Sequence, residues 1–208
     1  VEALAALGAV DFLMWVVTGI STGLTQGFSI QLSQYYGAKD FENLRKSLAH
    51  SYRLTAFIAA GVLILSQSFA SLVLTGLHTP SNIIGMSLLY LRIIFCGIPA
   101  TAAYNMFASA LRAMGNSKTP LTAMIIASVL NVSLDILFVA GFGWGVAGAA
   151  IATVIAQSFS AVYCFLILRR IDIVHLTRAD FMPASGMNAR LMKLGIPVVF
   201  QNIIIGVG

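Results

Sequence analysis

Charge is what this sequence has least of. Asp, Glu, Lys and Arg make up only 9% of its 208 residues, where a soluble domain carries about 25%, and its mean hydropathy is +0.91. So little charge excludes an ordinary water-soluble domain and implies a chain whose solvent is largely lipid. Cysteine is as sparse. Cys96 and Cys164 both fall inside apolar runs, which excludes a disulfide framework and leaves them as packing residues. His50, His78 and His175 stand at loops or helix ends without the spacing of metal ligands, so no metal-hydrolase site is expected. Short segments of alternating hydrophobicity are lacking, and with them the pattern of a transmembrane β-barrel. No basic stretch precedes the first apolar run as it does in a signal peptide. The chain opens without Met at VEALAALGAV and closes on IPVVFQNIIIGVG, a run too short to span, so an internal fragment of a longer protein is expected.

What the sequence does have is long apolar runs. Five reach the roughly 20 residues that cross a bilayer core, at 8–36, 54–74, 83–111, 121–141 and 145–168, and a sixth begins near Leu191. Lipid supplies no hydrogen bonds, so each run must satisfy its backbone internally. The expected fold class is therefore all-α, a polytopic transmembrane helical bundle. Local punctuation agrees: Gly37 closes the first span, HTPSN separates the second from the third, and GNSKTP sets Pro120 behind Thr119 as candidate N-cap of the fourth. Pro99 and Pro197 lie inside spans and predict kinks. Gly19, Gly23 and Gly27 recur at four-residue spacing, as do Gly145, Ala149 and Thr153, which predicts close helix packing.

The net charge of +5 belongs to the connections rather than to any nucleic-acid motif, so no nucleic-acid partner is expected. Lys39, Arg45, Lys46 and Arg53 follow the first span, Arg112 and Lys118 the third, and Arg169, Arg170, Arg178, Arg190 and Lys193 the fifth. Only Arg92 lies elsewhere, and GLHTPSN and GFGWGV hold no Lys or Arg. By the positive-inside rule the basic connections are cytoplasmic and the other two external. The longest polar connector, RRIDIVHLTRADFMPASGMNAR, predicts a boundary: residues 1–170 as one membrane lobe, 171–189 as a cytoplasmic linker, and 190–208 as the truncated start of a second lobe.

One acidic residue stands inside an apolar run, in ASVLNVSLDILFV. A buried carboxylate is costly, so Asp135 must be paired, protonated or useful. Asn131 falls one turn before it on the same face, and Ser128 and Met124 continue that stripe. Counted from Leu121, Asp135 lies about 21 Å along its helix, or about 9 Å below the outer end. Thr153 lies about 12 Å below the outer end of the next helix, so the two depths agree. A short connection makes the helices antiparallel neighbours, with Thr153, Gln157 and Ser160 as the facing stripe. A carboxylate, an amide and a hydroxyl converging there offer hard ligands to Na⁺, or a cage for a carboxyl that gains and loses a proton. The bland alternative is an interhelical clasp worth about 1 kcal/mol. Asn105 reads as packing or cavity lining, and Asp11, Arg53 and Arg92, near helix ends, as interfacial.

Six stretches in order, ALAALGAV, SQYYGAKD, ALRAMGNSKTPL, NVSLD, GVAGAAIATVIAQ and KLGIPVVFQN, resemble the multidrug and toxic compound extrusion (MATE) family along the whole chain. The resemblance implies a twelve-helix, two-lobe antiporter of the plasma membrane, in prokaryotes the inner membrane. Such a protein exports organic cations, drugs or toxic compounds in exchange for Na⁺ or H⁺. This chain would cover the second helix to the start of the seventh, most of an amino-terminal lobe without its first helix. Asp135, Asn131 and Thr153 map onto the family's ion-coupling site and would be metal ligands only if Na⁺ is the coupling ion. Ser128, Met124, Gln157 and Asn105 are expected to line the cavity. The family's partner aspartate on the first helix has no counterpart here. No catalytic residue and no cofactor beyond the coupling ion are expected. The expected partners are the lipid bilayer, a small organic cation and the remaining helices of a full-length transporter. A lipid-linked oligosaccharide flippase of a related fold group is the alternative; it would need cations in its cavity for pyrophosphate, whereas the buried charge here is acidic. A membrane-embedded enzyme would need convergent catalytic groups at one depth, and none appears.

Overall fold

The computed structural model describes residues 2–76, 84–182, 184 and 186–207. Among the described residues every regular element is helical: α1 (Glu2–Gly37), α2 (Phe41–Gly76), α3 (Ile84–Cys96), α4 (Ile98–Ala113), α5 (Lys118–Asp135) running into a π-helical turn (Ile136–Gly141), α6 (Gly145–Leu168), two 3₁₀ turns (Asp172–Val174 and Arg178–Phe181) and α7 (Met187–Val207). The connector at 77–83, with His78, lies outside the described residues, and Asp11 stands where only the backbone of α1 is described.

Among the described residues, four stretches are long and apolar enough to cross a membrane: Phe41–Gly76, Ile84–Ala113, Lys118–Gly141 and Gly145–Leu168. Helix α1 covers the expected first span. Its Ser21, Thr25 and Gln31 are buried. The second expected span is only part of α2, which begins at Phe41, so Arg45, Lys46 and Arg53 ride on a helix rather than in a loop. The third is divided. The kink expected at Pro99 is a break at Gly97, where a Cβ would stand 2.8 Å from Val154 Cγ2 of α6. Helix α4 then restarts with Pro99 in its first turn, where a missing N–H costs nothing. Ser117, not Thr119, is the N-cap of α5; its side chain makes no cap bond, and Asn116 Oδ1 accepts from the Thr119 N–H at 3.1 Å instead. Helix α7 begins four residues before Leu191.

The turn between α1 and α2 places Lys39 in the left-handed region at φ 58°. The Asp40 N–H reaches the Tyr35 carbonyl at 3.0 Å and that of Lys39 the Tyr36 carbonyl at 3.1 Å, a Schellman closure. Asp40 then caps α2: Oδ2 accepts from Asn43 Nδ2 at 2.7 Å and Oδ1 from the Asn43 N–H at 3.2 Å. The side-chain bond from Asn43 is the main cause that holds the Asp40 carboxyl below its ordinary 3.8.

The larger core gathers at the basic end of the bundle, where Phe28, Leu32, Leu44, Leu48, Leu111, Leu168 and Leu191 pack from five helices. Cys164 is buried in it, as expected of a packing residue, while Cys96 is exposed and its Sγ lies 3.3 Å from Gln67 Nε2. The polar connector is folded onto α2 rather than trailing free. Asp180, 5% exposed, accepts from the Thr177 N–H at 2.7 Å and lies 3.9 Å from Arg45 Nε. His50 is not at a loop. It is buried in α2, with Nε2 3.1 Å from the Met182 carbonyl oxygen and Nδ1 2.7 Å from Asn188 Oδ1.

Candidate functional site

Helices α5 and α6 are antiparallel neighbours joined through 142–144. Phe138, Phe142 and Trp144 stack over this joint, with the Phe138 and Trp144 rings 5.1 Å apart. Gly145 does not serve close packing as its spacing suggested: it sits at φ +53° with open space around it, a turn residue. The hairpin brings Asn131 and Thr153 to the same depth. Asn131 Nδ2 donates to Thr153 Oγ1 at 3.4 Å, and Thr153 Oγ1 donates back to the Ala149 carbonyl at 3.0 Å.

A cavity of about 140 Å³ opens beside this pair. Met124, Ser128 and Asn131 line it from α5, and Thr153, Gln157 and Ser160 from α6, so the two stripes face each other. Asp135 is not among the lining residues. It is the last residue of α5, one turn past Asn131, and its Oδ1 is buried without a hydrogen-bond partner. A buried carboxylate oxygen without a donor is costly, and it is relieved by a bound cation or a proton.

Asn105 does not line the cavity. It sits on the α1 side of α4 and donates to Thr22 Oγ1 at 3.2 Å. The lining residue from α4 is Tyr104, whose hydroxyl donates to the Pro120 carbonyl at 3.4 Å. Sequence reasoning missed Tyr104 because α4 is apolar around most of its circumference, and periodicity cannot choose between adjacent residues there. The π-helical turn after Asp135 was also missed. ILFVAG is compatible with an ordinary α-helix, and only the Phe142 N–H to Leu137 carbonyl bond at 2.9 Å reveals the wider turn. Among the described residues no three His, Cys, Asp or Glu side chains converge.

With this geometry in place, comparison with known proteins gives one picture. A family model described as MatE matches residues 1–137. The chain is 28% identical over 213 residues to the probable multidrug resistance protein YoeA of Bacillus subtilis (strain 168), covering 99% of this chain and 46% of that protein. It is 31% identical over 204 residues to the probable multidrug resistance protein YpnP of the same organism, covering 98% and 46%. An inward-facing structure of a multidrug resistance MATE family transporter of the MOP superfamily superposes with a TM-score of 0.89 at 24% identity, over 99% of this chain and 47% of that one. The chain spans about half the length of the curated relatives it matches.

Proposed function

This chain belongs to the MatE family, and from that premise we propose that it forms the amino-terminal half of a cation-coupled antiporter that exports organic cations and other toxic compounds. Residues 1–170 are the amino-terminal lobe, 171–189 the cytoplasmic linker, and 190–208 the start of the second lobe. The observation that carries the reading is Asp135 Oδ1, buried and unpartnered one turn from the Asn131 and Thr153 pair. One carboxylate, one amide and one hydroxyl suit a monovalent hard cation or a proton. Binding either one neutralises Asp135, and its departure restores the charge. The site therefore has two states of different charge, and exchanging them across the membrane against a cationic substrate couples the two fluxes. Among the described residues no Lys or Arg lines the cavity, which suits an organic cation and not a pyrophosphate-linked oligosaccharide.

The test is Asp135→Asn in the intact transporter, reconstituted in vesicles at matched protein amounts. Asn keeps the volume and most hydrogen bonds but not the charge. The expected result is folded protein without substrate-driven Na⁺ or H⁺ flux. Unchanged coupled flux would leave Asp135 as an interhelical clasp and refute the coupling role.

A further inference from the structure

Two cavities away from the Asn131 and Thr153 site meet at the same pair of rings. The first, about 350 Å³, is a trench between α2, α4 and α6 walled by Ala59, Ala103, Met106 and, at its far end, Leu63. The second, about 270 Å³, lies under the polar connector and is bordered by Arg169, His175 and Phe181. Tyr52 and Phe165 line both, so trench and polar mouth form one groove. Helix α4 turns Tyr104 to the coupling cavity but Ala103 and Phe107 to this groove, so the two open on different sides.

The trench has the length for one acyl chain, below a cationic mouth. From Tyr52 to Leu63 along α2 is about 16 Å, half of the ~30 Å hydrocarbon core and thus one leaflet deep. Ala56 and Ala60 on its α2 wall are exposed, as are the neighbouring Phe57 and Ile64. At its mouth the Arg169 guanidinium lies over the Phe165 ring, 5.7 Å from the centroid, without an ion pair among the described residues. Arg53, whose Nη1 reaches the Phe181 carbonyl at 3.5 Å, stands on the same rim. The nearby acid, Asp172, is fully exposed and lies 3.8 Å from His175 Nε2. Thr55 lies on the trench wall about 3 Å deeper than Arg53, and its Oγ1 has no hydrogen-bond partner.

We propose that this groove binds one anionic glycerophospholipid of the basic-side leaflet, with an acyl chain in the trench and the phosphate between Arg169 and Arg53. Thr55 then stands at the level of the glycerol esters. The cationic rim rejects an organic cation, which separates this site from the transport cavity, and the headgroup links the polar connector to α6.

The test is native mass spectrometry of the intact protein carrying these residues, released from micelles holding equal phosphatidylglycerol and phosphatidylcholine with identical acyl chains. One phosphatidylglycerol should be retained in preference. Arg169→Gln, at an exposed position, should lower that preference roughly fivefold, while Lys118→Gln, on the same membrane face but off the groove, should leave it unchanged. Ala60→Phe, which fills the trench mouth from an exposed position, should reduce retention of both lipids. Equal retention of the two lipids by the unmodified protein would overturn the proposal, as would equal losses in Arg169→Gln and Lys118→Gln or full retention in Ala60→Phe.

Discussion

Lys39 is the non-glycine residue held at positive φ among the described residues, and it sits at the left-handed position of the turn that ends α1. A Cβ there crowds the following carbonyl, a cost that glycine lacks. Lys39→Gly is therefore expected to raise stability by roughly 0.5–1 kcal/mol, read as thermal unfolding in detergent; a lower midpoint would mean that the lysine side chain stabilises the turn by a contact of its own. The next residue adds a pH dependence. Asp40 has a lowered folded value, so its contribution is complete above the ordinary 3.8 and is lost as pH falls through the folded value. At the proposed coupling site, Asn131→Ala and Thr153→Ala should each weaken coupled flux less than Asp135→Asn, because each removes one neutral ligand and leaves the charge. Complete loss in either alone would shift the coupling role away from Asp135. The polar residues of the site were legible one by one, since an acid or amide within an apolar run has few cheap explanations. Asn105 shows the limit of that logic: its amide faces α1, and nothing in AAYNMFAS says which neighbour it meets.

At the scale of elements, the small-residue spacing in α1 was legible but its partner was not. Gly23 and Gly27 meet α7, the helix farthest away in sequence: a Cβ at Gly23 would stand 2.7 Å from Val199 Cα, and one at Gly27 would run into the backbone of Gly195. The reverse substitution differs, because a Cβ at Gly195 would meet the Leu24 and Phe28 side chains at 3.0 and 3.1 Å, and side chains can shift where backbone cannot. Gly27→Ala should then cost 1–3 kcal/mol, about the usual cost of overpacking, and Gly195→Ala clearly less. Equal losses of thermal stability would show that α7 slides to accept either methyl. The break at Gly97 has the same character. Pro99 announced a kink, yet the break falls where α3 and α4 must let Val154 of α6 come close, a tertiary demand that local sequence cannot encode.

For the whole molecule, charge and exposure together assign each flank a neighbour. The basic connections share one end, where the polar connector packs on α2, so in a cysteine-free background single cysteines at 118 and 178 should resist an impermeant thiol reagent added outside the cell, and one at 143 should react. Labelling at 118 and not at 143 would invert the orientation. The other flank belongs to α5, whose Ile125, Val129 and Val132 are exposed and whose buried residues are only Pro120 and Ala123. The cavity beside Asn131 and Thr153 is built largely from α5 and α6 and lies beside this uncovered helix. In the proposed antiporter, a site with so open a wall would let the coupling ion reach water without carrying substrate, and alternating access would require a second lobe to close over it. These 208 residues alone should therefore insert and fold in vesicles yet show no ion-driven efflux, whereas a full-length protein containing them should show it. Efflux by the 208-residue chain at the full-length rate, scaled to protein amount, would mean that copies of this lobe assemble into a transporter and that the division at 171–189 is not one between two unlike halves.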